Sequence, residues 1–290
     1  MQQTGTTCEF SNSDSWVILS PIEQSIKRKI ESVGTPLKDW DINIYRGVLT
    51  GYNEAFIIST EKRDEILANC QSDDERKRTE ELIRPILRGR DIKRYGYNWA
   101  GLWLINTHNG VRGKLERIHI EDYPAVKAHL DQYWDKISKR ADKGDTPYNL
   151  RNCAYMEDFS KPKIVYPNMT KYMPFVYDEA NFLTNQKCFI VTGQCMAFLT
   201  AFFNSSLFKF CFRDSFPELQ GGTRELSKIF FDKIPVLQVS DSINETFRHI
   251  VNKIQASYTK EQARNIDNML FDLYNLTADE RKVIGYVEIK

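Results

Sequence analysis

The apolar positions of this chain change period along its length, and each change marks an element. In SPIEQSIKRKIESVG, Ile22, Ile26 and Ile30 recur every four residues, the spacing of one face of an amphipathic helix. Ser20 stands at the cap position, with Pro21 in the first turn, Glu23 to complete a capping box and Gly34 to end the helix. Two short extended segments follow, DINIYRGV and AFIIST, divided by the turn-like LTGYNE. Helical text then occupies 61–87, with acids early in DDERKRTEELIRPIL, where a helix dipole favours them. GLWLINTH (101–108) reads as a strand ending at the turn pair Asn109-Gly110. Residues 121–140 read as one helix with Ala125, Leu130, Trp134 and Ile137 toward a core.

Beyond the polar loop RADKGDTPYNLRNCAY, three strand-like pieces appear at 163–169, 173–178 and 188–193. A helix is expected over 196–212, and Phe198, Phe202 and Phe208 are expected in the core with Ile26, Ile30, Leu130 and Trp134. A glycine-containing loop (217–226) leads to a short helix and the stop Ile234-Pro235. From 240 the text is helical to the end, broken once near Asn275. Strands and helices alternate in no regular βαβ order, which predicts an α+β fold. The expected organisation is a linker and helix over 1–38, with 1–15 polar and poorly ordered, a mixed domain over 39–238 and a helical appendage over 239–290.

Composition narrows the class. The 290 residues are 41% hydrophobic and 27% charged, with no apolar run near the roughly 18 needed to span a bilayer. The N-terminus lacks the basic-then-apolar pattern of a secretory signal. Six scattered cysteines (8, 70, 153, 188, 195 and 211) form no CxxC pair, so reduced thiols, no metal and a cytoplasmic setting are expected.

Charge then singles out one stretch. The chain is nearly neutral at +1, yet RPILRGRDIKRY carries Arg84, Arg88, Arg90, Lys93 and Arg94 against one acid, Asp91. Such a run is most often a solvated helix end, but it also suits the phosphate backbone of a duplex. Its company favours the second reading. TGYNEA offers Tyr52 and Asn53; DTPYNLRNCAY offers Tyr148, Asn149, Arg151 and Tyr155. PNMTKYMPF offers Asn168, Thr170, Lys171 and Tyr172; TNQKC offers Asn185, Gln186 and Lys187; GGTRELSK offers Arg224 and Lys228. Phosphates call for cations, and base edges call for amides and forked guanidinium groups.

Catalytic signatures are missing from these residues. No GxGxxG, GxxxxGK or GxSxG motif occurs, and His108, His119, His129 and His249 match no metal spacing. Glu218 beside Gly221-Gly222 is too little for a catalytic role, and Asp158 with Lys161 and Lys163 is the nearest approach to a nuclease set.

The segments NIYRGVLTGYNEAFII, IRPILRGRDIKRY, LRNCAYMEDFSKPKIVYPNM, FLTAFFNSSLFKFCFRDSF and GGTRELSKIFFDKIPV, in this order, resemble the C-terminal specificity region of TaqI-like adenine-N6 DNA methyltransferases, above all of bifunctional type IIG restriction-modification enzymes. IDNMLFDLYNLTADERKVI is similar to the helical tail that follows in that family. The resemblance implies a target recognition domain that reads duplex DNA while a methyltransferase module of the parent polypeptide acts on a flipped adenine. The family's adenine-clamping Pro-Pro tetrad and its glycine-rich S-adenosylmethionine motif do not occur in the 290 residues. The chain is therefore expected to be a fragment with no catalytic residue, metal or cofactor of its own. Two other readings stand beside it: a metal-dependent nuclease with dispersed acids, and a protein–protein module that docks through helices 240–273.

Overall fold

A computed structural model of the chain describes residues 19–180 and 182–287. Cys8 and the polar stretch 1–15 lie outside the described residues. The fold is α+β, built on two open four-stranded sheets. In the first sheet the order is Val176–Asp178, Lys163–Pro167, Cys188–Gly193 and Ile42–Arg46, every pair antiparallel. The second runs Leu183–Thr184, Ile83–Leu87, Leu102–Ile105 and Ile57–Ser59, with its first pair parallel.

The N-terminal helix spans Pro21–Val33 and starts on the expected capping box: Glu23 N donates to Ser20 Oγ at 3.4 Å and Ser20 N donates to Glu23 Oε2 at 2.7 Å. Ile26 and Ile30 are buried, and the chain leaves the helix at Gly34. Gly34–Pro36 then pairs antiparallel with Pro235–Leu237, tying the helix to a strand two hundred residues away in sequence.

Two apolar clusters support the sheets. One gathers Ile26 and Ile30, the inner face of the first sheet, the Phe-rich helices and the C-terminal helices. Its centre is Met196–Asn204, every residue of which is buried. The other lies under the second sheet and includes Phe56, Ile86, Leu104, Val126, Leu130 and Phe159.

Several elements depart from the sequence reading. The helical text 61–87 is two helices, Thr60–Ala68 and Asp73–Leu82, and then a strand, Ile83–Leu87. Pro85 has no N–H to donate to a helix and pushes Arg84 toward extended backbone, so Ile83 pairs with Ile105 instead. AFIIST begins as a helical turn, Asn53–Phe56, before its strand. The helix expected over 121–140 is Pro124–Asp131 followed by the separate turn Trp134–Ile137. The break resets the helical phase: Leu130 and Ile137 are fully buried, whereas Trp134 is 44% exposed and is not a core residue.

The 196–212 helix is divided at Ser205, whose hydroxyl caps the second half by accepting from Phe208 N at 3.0 Å. Beyond 240 there are three helices, Asp241–Ala256, Lys260–Leu273 and Ala278–Ile284, because Thr259 caps a new start before the expected break at Asn275.

Candidate nucleic-acid interface

RGRDIKRY folds into a tight hairpin that divides its own charges. Arg88 clamps the buried carboxylate of Asp91 with two bonds, Nε to Oδ2 at 3.0 Å and Nη2 to Oδ1 at 2.8 Å. That clamp shapes the turn Gly89–Asp91, after which Ile92–Lys93 pairs with Gly96–Tyr97. Tyr95 adopts a left-handed φ of 53° and sends its buried ring inward, its hydroxyl donating to Ala201 O at 3.2 Å. Arg94 goes the same way: it is 8% exposed, and its Nε donates to Asn204 O at 2.8 Å. Arg90 and Lys93 are left on the surface. Arg84, half-buried on its strand, lies close enough to Asp178 to feel its charge.

Three further segments meet this hairpin. The loop after Lys163–Pro167 is fixed at its base, where Asn168 N donates to Lys187 O at 2.8 Å and Leu226 N to Asn168 O at 2.8 Å. Its tip presents Lys171 and Tyr172, the latter 67% exposed. The Asn185–Lys187 turn is held against Gly47, where any Cβ would lie 2.0 Å from Asn185 O. The helix Ser206–Phe212 brings Lys209, Phe210 and, just beyond it, Arg213.

Together these segments line an open groove of about 1560 Å³. Arg88, Arg90, Lys93 and Arg94 come to it from the hairpin, Lys171 and Lys187 from the loops, and Lys209 and Arg213 from the helix. Among the described residues no Asp or Glu lines it. Amides are present at Asn98, Asn168 and Asn185, and exposed rings at Tyr97, Tyr172, Phe210 and Tyr258. Gln255 also reaches the wall, but its amide is occupied by the backbone of Tyr177 at 2.7 and 2.8 Å. Burial lowers the Lys209 ammonium to about 7, with Arg94 and Arg213 acting in the same sense and Asp267 against them.

The structure brings eight of the sequence-selected residues to the groove: Arg88, Arg90, Lys93, Arg94, Asn168, Lys171, Tyr172 and Lys187. Arg88 and Arg94 are nevertheless structural side chains in their main bonds. The rest lie elsewhere. Asn149 is 1% exposed and spends its amide on Ile118 O at 2.9 Å and on the Thr146 hydroxyl at 2.6 Å, so it is a loop brace and not a base reader. Arg224 is corrected in the same way: buried, it donates to Phe216 O at 2.7 Å and pairs with Glu218 at 2.8 Å and Asp214 at 2.9 Å. Arg151 pairs with Asp142 at 2.7 Å and Lys228 with Asp232 at 2.7 Å, both on the surface. Tyr155 stacks on Tyr45 with centroids 4.2 Å apart, and Tyr52 packs near Tyr133. Asn53 accepts from the Thr50 hydroxyl at 2.6 Å.

Asp158, Lys161 and Lys163 do not converge, since Lys163 turns inward to a buried pair with Asp178 at 2.7 Å while Lys161 takes Asp158. Sequence reasoning missed Lys209, Arg213, Asn98 and Tyr258. Lys209 and Arg213 carried a signal, two cations four residues apart on otherwise apolar helical text; Tyr258 carried none.

This combination, an acid-free cationic groove framed by loops on an α+β scaffold, defines a specificity module. The chain matches the TaqI-like C-terminal specificity domain over residues 84–236 and belongs to that family. It is 20% identical over 280 residues to the type II methyltransferase M.PaeR7I of Pseudomonas aeruginosa, covering 95% of this chain and 45% of that protein. The chain thus spans under half the length of the curated relative it matches. Its fold is shared with the type IIL restriction-modification enzyme MmeI, whose structure is in complex with DNA (TM-score 0.57, 12% identity, 84% of this chain and 34% of that one). It is shared also with the type IIG restriction endonuclease BpuSI (TM-score 0.50, 15% identity, 88% and 34%). Among the described residues no helix is long and apolar enough to cross a membrane.

Proposed function

We propose that the chain is the target recognition domain of a restriction-modification enzyme and that its groove grips duplex DNA. The observation that carries this reading is the wall itself: eight cations and no acid among its described residues, in a chain of net charge +1. Concentrating charge on one concave face gains free energy by releasing counterions from the phosphates. Arg90, Lys93, Lys171, Lys187 and Arg213 are placed as phosphate contacts. Asn98, Asn168 and Asn185 supply the amide chemistry of base-edge readout, and Tyr97, Tyr172 and Phe210 supply flat apolar surface for sugars and bases.

In this reading the domain sets register and sequence while a methyltransferase module modifies a flipped adenine. S-adenosylmethionine belongs to that module, and this chain turns over nothing by itself. Such work places the protein in the cytoplasm with the DNA. The test is selection from a pool of randomised duplexes at 100 mM salt, followed by sequencing. Enrichment of one short motif, with affinity that falls steeply as salt rises, is the expected result. A chain that serves only as a protein–protein module would enrich nothing and show no salt-dependent affinity.

A further inference from the structure

One end of the groove is built differently from the rest. Arg94 is 92% buried, given its 8% exposure, and while its Nε and Nη1 donate to Asn204 O and Val287 O, its Nη2 is buried at the groove wall with no partner. A buried guanidinium N–H left unpaired costs free energy that a ligand atom can recover. Lys209 is half-buried beside it, and Arg213 follows one helical turn later. Among the described residues neither Lys209 nor Arg213 has a carboxylate within ion-pair distance. Asp267 is the acid whose charge reaches Lys209, yet both of its oxygens are taken by Ser206, Oδ1 by the backbone N–H at 2.8 Å and Oδ2 by the hydroxyl at 2.5 Å. Three cations therefore face one another across a recess with their countercharge missing.

We propose that this recess is a seat for one phosphate group, bound by Arg94, Lys209 and Arg213. The inference rests on the reading of the groove as a nucleic-acid interface and adds where one phosphate is held most tightly. A tetrahedral oxyanion satisfies the open Arg94 donor and relieves the repulsion among the three cations. It also restores the charge of Lys209. That ammonium is held near 7 by burial first, then by Arg94 and Arg213, with Asp267 opposing. Because its proton is lost above about pH 7 in the empty recess, anion binding must take a proton up there. Affinity falls as pH rises through that value, by up to tenfold per pH unit.

Sulfate is the probe, since it is tetrahedral like phosphate and keeps its charge between pH 6 and 8.5. The melting temperature of the chain is measured in sodium sulfate against sodium chloride of equal ionic strength, at pH 6.0 and 8.5. The expected result is a sulfate-specific rise at pH 6.0 that is mostly lost at pH 8.5. Lys209→Met removes the rise at both pH values, Lys209→Arg keeps it at both, and Lys228→Met behaves as wild type. A sulfate response absent at pH 6.0, or equal in wild type and Lys209→Met, overturns the seat. A duplex-binding arm separates the two readings. Duplex affinity with no Lys209-dependent sulfate response defeats the seat alone, while a Lys209-dependent response with no duplex affinity defeats the groove reading and leaves a free-anion site.

Discussion

Lys93 and Arg94 are adjacent in one hairpin, and the backbone sends the first to solvent and the second beneath the Phe-rich helices. Nothing in the local sequence separates them. What does is Tyr95: its buried ring and left-handed backbone turn Arg94 inward with it. The same ambiguity explains Asn149 and Arg224, residue types suited to DNA that the fold uses to brace loops. Arg140 is the missed counterpart, a buried guanidinium that ties Thr50, Asp142, Pro147 and Asn149 together through their carbonyls. Neighbouring substitutions should therefore part company. Arg94→Ala strands Asn204 O and Val287 O and should cost about 2–4 kcal/mol in urea unfolding. Lys93→Ala should leave stability within about 0.5 kcal/mol while reducing the salt slope of duplex binding by about 0.9. An Arg94→Ala chain as stable as wild type would show that this arginine is not the brace described.

At the scale of elements, strong periodicity was legible and phase changes were not. The capping box at Ser20, the strand Cys188–Gly193 and the Phe-rich core all stand where the pattern puts them. The strand Ile83–Leu87 was read as helix because apolar spacing alone does not separate the two, and Pro85 was the available clue. Trp134 was misplaced because a break at Tyr133 shifts the register of everything after it. The join between the first and last helices was invisible, being an ion pair across 251 residues of sequence. There Lys29 Nζ donates to Glu280 Oε2 and Ser25 Oγ to Oε1, each at 2.7 Å. Burial raises the Glu280 carboxyl, but the bonds from Lys29, Thr277 N and Ser25 outweigh it and hold the group at about 2. A carboxyl depressed in the folded state stabilises fully above its unfolded value near ~4.3 and loses that contribution as pH falls through about 2. Glu280→Gln should accordingly lower the melting temperature at pH 7 and have little effect at pH 2. Equal losses at both pH values would show that the clamp is not electrostatic.

At the scale of the molecule, the groove is a meeting of four segments that are distant in sequence. Residue type picked out the hairpin, the 167–175 loop and the 184–188 turn as DNA-facing, and folding does bring those three together. The loops around 50–55 and 145–155 had the same chemistry and gather instead around Arg140, away from the groove. Their convergence depends on sheet order, with Lys163–Pro167 beside Cys188–Gly193, and on the Phe-rich helix that underlies both. The second apolar cluster carries the other lobe, so charge removal at the groove rim need not disturb either core.

The most direct measurement is the salt dependence of duplex binding, by fluorescence anisotropy between 50 and 200 mM salt. It compares wild type with a variant carrying Arg90→Ala, Lys93→Ala, Lys171→Ala and Lys187→Ala, and with a control carrying Lys27→Ala, Lys136→Ala, Lys143→Ala and Lys253→Ala on other faces. If the groove is the DNA surface, the rim variant loses about 3–4 units of slope, close to 0.9 per phosphate contact, while the control keeps the wild-type line. Identical slopes for the rim variant and wild type would contradict the account.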